Sequence, residues 1–205
     1  SLNTLNIGSD TDATNYSKTT INGNVFANST VLNNNGTTNS SELILASGKN
    51  ITSTITTTDA NMGILTLAGG TQTVTGQVGD STNKLAEVNT GNGTSTFAND
   101  VYATNLDVEG TGTVNLNGNY TGTALRYNDN GIVNLSDGKN INSSITSDAP
   151  NQGTLNLVGT STVTGQIGDV TNNLKEINAN GIAGKTVTFA NDVYATNTNI
   201  GAGTV

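Results

Sequence analysis

Cysteine, histidine and tryptophan are missing from this 205-residue sequence, and proline and methionine occur once each, as Pro150 and Met62. Each gap closes off a class of function. Without Cys or His, the common zinc sites and the usual nucleophile–base pairings lose their commonest members, so no metal, cofactor or enzymatic activity is expected. Positive charge is also scarce. Seven cations against fifteen anions give a net charge of −8, and seven scattered cations cannot build the basic patch that nucleic acid or anionic lipid requires. No apolar run approaches the roughly 18–20 residues that span a bilayer, and no basic-then-apolar leader opens the sequence. The lack of Cys fits either a reducing cytosol or an exported chain that crosses membranes unfolded.

What is present is equally one-sided. Thr (37), Asn (34) and Gly (25) make up nearly half the chain. Thr, with the recurring Val and Ile, favours strands, while Asn and Gly supply turns with positive φ. The net charge is modest for the length, and Val, Ile and Leu recur at short regular intervals, which argues against disorder. Short strands alternating with tight turns are expected throughout.

Internal similarity is the main signal. Gly48-Lys49-Asn50-Ile51 returns as Gly138-Lys139-Asn140-Ile141, and Val74-Thr75-Gly76-Gln77-Val78-Gly79-Asp80 as Val163-Thr164-Gly165-Gln166-Ile167-Gly168-Asp169. Leu85-Ala86-Glu87-Val88-Asn89 returns as Leu174-Lys175-Glu176-Ile177-Asn178, and the segment Phe97 to Asn105 returns unchanged as Phe189 to Asn197. Leu2, Leu5 and Asn6 match Leu85, Val88 and Asn89; Val25-Phe26-Ala27 matches Val101-Tyr102-Ala103; Gly201 to Val205 matches Gly110 to Val114. The chain therefore reads as one continuous segment, 1–205, of something longer, with repeats of about 90 residues over 41–130 and 131–205 (incomplete) and a partial copy over 1–40.

A finer period lies inside the long one. Ile64 to Leu67, Ser95 to Phe97, Val114 to Leu116, Ile132 to Leu135, Leu155 to Leu157 and Val187 to Phe189 alternate apolar with small polar residues, as half-buried strands do. Their spacing is that of coils in a β-solenoid. One coil cannot offset its own ordering entropy, whereas stacked coils bury a continuous column and pair every backbone group. The expected fold is a right-handed parallel β-helix of about eight or nine coils, roughly 40 Å long; the alternative is tandem β-sandwich domains. Outer Thr ladders, inward Asn ladders at corners and a narrow interior, which accounts for the scarcity of large aromatics, are also expected. Apolar residues three apart in Asn83 to Asn89 and Asn172 to Asn178 suggest a short helical or irregular corner.

The repeated segments resemble the passenger region of rickettsial surface cell antigen autotransporters, the outer membrane protein B type especially. The likeness rests on residues 74–80 and 163–169, continues through the Leu/Val-Asn stretch, and includes residues 97–104 and 189–196. Asn119-Tyr120-Thr121-Gly122-Thr123 is similar to a short motif scattered through autotransporter passengers generally. The resemblance implies a β-helix displayed on the bacterial surface by a C-terminal outer-membrane β-barrel, forming a surface layer and mediating attachment to and entry into host cells. A polysaccharide-active β-helix or a phage tailspike-like fibre is the second functional expectation.

Candidate chemistry is sparse. Asp80/Asp169 and Asp100/Asp192 repeat, but equivalent positions several coils apart cannot form a carboxylate pair of the kind glycosidases use, and turn-closing roles are expected. Asp10-Thr11-Asp12 and Asp129-Asn130-Gly131 resemble pieces of oxygen-ligand loops without a complete loop, so solvated turns are expected. Nine Asn-x-Ser/Thr sequons occur, about the number chance gives at this composition. Tyr102 and Tyr194, with Lys49 and Lys139, are the candidate contacts for a host-cell protein or glycan, against the plainer reading of flank packing and solvated turns.

Overall fold

The computed structural model describes residues 2–8, 17–34 and 40–205, so Asp10 to Asp12 lie outside the described residues. In chain order the strands are β1 (Leu2–Gly8), β2 (Lys18–Ile21), β3 (Val25–Asn33), β4 (Glu42–Leu45), β5 (Ile51–Thr57), β6 (Ile64–Leu67), β7 (Gly70–Val74), β8 (Leu85–Thr90), β9 (Gly93–Phe97) and β10 (Val101–Val108). They continue as β11 (Thr113–Leu116), β12 (Tyr120–Tyr127), β13 (Ile132–Leu135), β14 (Lys139–Ser147), β15 (Gln152–Val158), β16 (Ser161–Val163), β17 (Leu174–Asn180), β18 (Val187–Phe189) and β19 (Ala195–Ile200). Odd-numbered strands pair successively in one ten-stranded sheet and even-numbered strands in a nine-stranded one. Every pairing among the described strands is parallel. The chain is a parallel β-helix, and antiparallel sandwich modules are excluded.

Followed pair by pair, the register resolves three columns of nine levels. Column A is Val25, Ile51, Val74, Phe97, Leu116, Leu135, Leu157, Ala179, Ile200. Column B is Leu5, Thr30, Ile55, Val78, Val101, Tyr120, Ile141, Val163, Phe189. Column C is Thr19, Leu43, Leu65, Val88, Leu106, Leu125, Ile145, Ile167, Val193. Coils range from 18 residues (Val88 to Leu106) to 26 (Val25 to Ile51). Away from the two ends these side chains are buried, each worth about 1.5–3 kcal/mol when fully removed from water. Glycines take the corners: Gly48 (φ 70) and Gly138 (φ 75) occupy the same turn in both copies of Gly-Lys-Asn-Ile.

The long repeat is out of step with the coil. Val74 lies in column A and its copy Val163 in column B; Val101 lies in B and Val193 in C. Ile51 and Ile141, and Phe97 and Phe189, make the same move from A to B. The repeat thus advances four coils and one further column. The earlier copy advances only three coils and one column, since Val25 (A, first level) matches Val101 (B, fifth level). β3 corresponds to β10 and β4 to β13, so β11 and β12 form an extra coil.

That coil qualifies the expectation of a narrow interior, because Tyr120 and Tyr127 on β12 are fully buried. Glycine makes the room: a Cβ at Gly153 would stand 2.4 Å from the Tyr127 ring. Of the helical or irregular corner expected at Asn83–Asn89 and Asn172–Asn178, the irregular form is found: a short non-helical stretch leads into β8 and β17. Leu85 and Val88 both point inward although three apart, because the strand turns a corner at Ala86-Glu87 and two consecutive residues face out there. Ladders of Asn exist but run on the outside, while inward polar positions are mostly hydroxyls: Thr30, Ser53, Thr57, Thr90, Ser95, Ser143, Ser147 and Ser161. An amide has four hydrogen-bonding valences to satisfy and a hydroxyl fewer. Two buried amides succeed: Gln72, accepting from Gly69 N–H (2.8 Å) and donating to the carbonyls of Ala46 (3.0 Å) and Lys49 (3.2 Å), and the corner residue Asn34, donating to Leu32 O (2.9 Å) and Thr57 Oγ1 (2.8 Å) and accepting from Ser41 N–H (2.6 Å).

Two stability outcomes follow. Gly153→Ala forces a side chain into a positive-φ site (φ 78) against the Tyr127 ring, and calorimetry is expected to show a loss of about 1–3 kcal/mol. Ser95 Oγ is buried with no hydrogen-bond partner, so Ser95→Ala is expected to hold or raise Tm; a fall of several degrees would contradict the placement.

Candidate functional site

The two most extended repeated motifs turn out to be halves of one stacking unit. Val78 N–H donates to Asp100 O (3.0 Å) and Tyr102 N–H to Val78 O (2.7 Å); in the second copy Ile167 N–H donates to Asp192 O (3.0 Å) and Tyr194 N–H to Ile167 O (2.8 Å). A Cβ at Gly79 would lie 2.3 Å from Tyr102 O, and one at Gly168 2.6 Å from Tyr194 O, so close approach and positive φ both select glycine. Asp80 Oδ1 accepts the N–H groups of Thr82 and Asn83 (2.7 Å each), and Asp169 Oδ1 those of Thr171 and Asn172 (2.7 Å each). These amides hold the Asp169 carboxyl below its ordinary range. Asp100 Oδ1 accepts from Asn119 N–H (2.7 Å) one coil on, and Asp129 Oδ1 from Asn130 N–H (2.7 Å).

Tyr102 and Tyr194 are half-buried on the flank of this unit, and Lys49 and Lys139 are half-buried at the Gly-Lys-Asn turns. The four do not converge. Tyr102 follows a column B residue and Tyr194 a column C residue, while Lys49 precedes column A and Lys139 column B, each at its own level.

Charge chemistry gathers elsewhere, on β8, β10 and the extra strand β12. Arg126, the single arginine of the chain, donates through Nη2 to Glu87 Oε1 (3.0 Å) and through Nε and Nη2 to both oxygens of Asp107. Asp107 is 2% exposed at its side chain, Glu87 30%. The Glu87 carboxyl is pushed up to about 7, first by a hydrogen bond shared with Asp107, then by burial and the Asp107 charge, with Glu109 adding to the rise and Arg126 opposing it. In the second copy Asn199 stands where the first has Asp107, and its amide donates to Glu176 Oε1 (2.7 Å). The sequence signals for this cluster are the lone arginine and Asp107, where the second copy has Asn199; neither recurs between the copies.

A third feature runs along the outer side of column A. The Asn115 amide donates to Thr96 Oγ1 (3.2 Å), Asn134 to Asn115 (2.8 Å), Asn156 to Asn134 (2.7 Å), Asn178 to Asn156 (2.8 Å) and Asn199 to Asn178 (2.7 Å). Beside its first rungs lies an open groove of about 270 Å³, lined by Thr96, Asn115, Asn117, Asn134, Ser136, Asp137 and Val158 and by the chain at Leu135, whose side chain is in the core.

No family model, curated protein or solved structure matches the chain.

The Glu87 shift has a defined sign. A carboxyl raised in the folded state contributes stability that is fully present below its ordinary value and lost as pH rises through about 7. Between pH 5 and pH 8 the wild-type Tm is therefore expected to fall more than that of Glu87→Gln; superimposable pH profiles would contradict the raised Glu87 carboxyl.

Proposed function

We propose that this chain is a surface-displayed passenger segment of the autotransporter type, a rod whose roles are extension, surface-layer formation and host-cell contact. The supporting observation is the parallel β-helix itself, with an outer surface rich in Thr, Asn and acidic residues among the described residues. A strand-stacked rod free of cysteine suits a chain that crosses a membrane unfolded and gains its stability only by winding on the far side. The long repeat and the resemblance of residues 74–80, 97–104, 163–169 and 189–196 to rickettsial passenger sequences favour the same reading. The implied β-barrel translocator belongs to the parent protein.

A second reading, a polysaccharide-active β-helix, draws on one observation, the Glu87–Asp107 carboxyl pair. Against it, both oxygens of Asp107 are engaged by Arg126 and the side chain is almost wholly enclosed.

The decisive measurement is accessibility in the native bacterium. An antibody raised against residues 40–205 is expected to label intact cells, and external protease to remove that label. Staining confined to permeabilised cells would overturn surface display, and turnover of acidic or neutral polysaccharide abolished by Glu87→Gln would favour the enzyme.

A further inference from the structure

The groove beside the asparagine ladder carries a more specific reading. Asn115 and Asn134 each spend one N–H and one acceptor position on their neighbours in the stack, leaving a further N–H and a lone pair for an external partner. Thr96, Asn115 and Asn134 are half-buried, so these groups are reachable but fixed. Ser136 Oγ donates to Asn117 Oδ1 (2.8 Å), which orients the opposite wall in the same manner. The result is a row of uncharged donor–acceptor pairs repeating once per coil along the rod.

Charge contributes little here. Asp137, the one ionisable residue in the lining, is paired with Lys185 (2.9 Å) and accepts the Thr160 N–H (2.7 Å). An apolar surface is available at Val158, 44% exposed. Strand addition by a peptide is blocked, because β9, β11 and β13 are each paired on both sides and offer no free backbone edge.

We propose that this groove binds an extended, neutral sugar chain lying along the rod axis, its hydroxyls met by the Asn, Thr and Ser side chains and a C–H face resting on Val158. The groove is small and lacks an aromatic platform, so binding is weak per site. Host contact, as proposed above, is thereby assigned a ligand class; because the test uses purified protein, its failure is separate from failure of surface display.

The experiment is a 15N NMR titration of the 205-residue chain with cellotetraose and with chitotetraose, alongside tetragalacturonate and a neutral Thr/Asn peptide. Saturable shifts of the Asn115, Asn117 and Asn134 side-chain amides with a neutral oligosaccharide are expected. Val158→Asp and Val158→Arg should each weaken that binding about tenfold or more, since either charge would be desolvated by the ligand. Tyr102→Ala should leave it unchanged. Val158 sits on the rim, and retention of the dispersed amide spectrum verifies folding of both variants. The proposal is overturned if neither neutral probe shifts these amides, if only the acidic sugar or the peptide does, or if both Val158 variants bind as wild type does.

Discussion

Parallel hydrogen bonding between one coil and the next is the constraint from which the remaining structure follows. Its register forces like to lie on like: Phe97 over Val74, Leu116 over Phe97, Leu135 over Leu116. Once that register holds, an inward apolar side chain at one level sets the demand for another above it, and an outward Asn finds an Asn waiting. A single coil has neither benefit. The core is therefore a property of the stack, and few of its side chains would be buried by their own coil alone.

The division of polar residues between inside and outside comes from the same register. An outward Asn in a parallel stack meets an identical amide at the right height, so donor and acceptor match without any special design. Turned inward, its remaining valences would face hydrocarbon unless corner groups meet them, as Leu32 O, Thr57 Oγ1 and Ser41 N–H do for Asn34. Small hydroxyls fill the interior polar positions instead, with Thr30 Oγ1 donating to Ser53 Oγ (3.0 Å) and Thr90 Oγ1 to Asp107 O (3.0 Å). Gln72 is tolerated because turn carbonyls converge on its amide. Where a carboxylate replaces an amide in a stack, as Asp107 does beside Asn89, the match is lost, and the guanidinium of Arg126 from the next coil restores it.

Much of this was legible in the sequence. The alternation in Ile64 to Leu67 or Ile132 to Leu135 gave the strands, and the spacing between such segments gave the coil. Other features were not. Three-residue spacing at Leu85/Val88 reads as helical in isolation and becomes a strand corner only when Leu106 and Ala103 are known to lie beside it. The interior was expected to be narrow, but Gly153, distant from Tyr127 in sequence, empties the space that ring fills. The Arg126 cluster joins three coils, and the groove draws its lining from successive coils between Thr96 and Val158; neither is local. Motif repetition pointed to Tyr102 and Tyr194, whose recurrence reflects the stacking of two sequence words at one corner.

The mismatch between the long repeat and the winding has a consequence for anything that reads this surface from outside. A neighbour pressed against one flank does not meet successive copies of a motif in file; the second copy has already rotated out of its view, and a third would rotate again before the original aspect returned. Duplication of sequence thus spreads a single epitope around the circumference instead of concentrating it in a stripe. A ligand needing two copies at once would have to wrap the rod, whereas many small ligands, or many adjacent rods, could each engage one copy from their own direction.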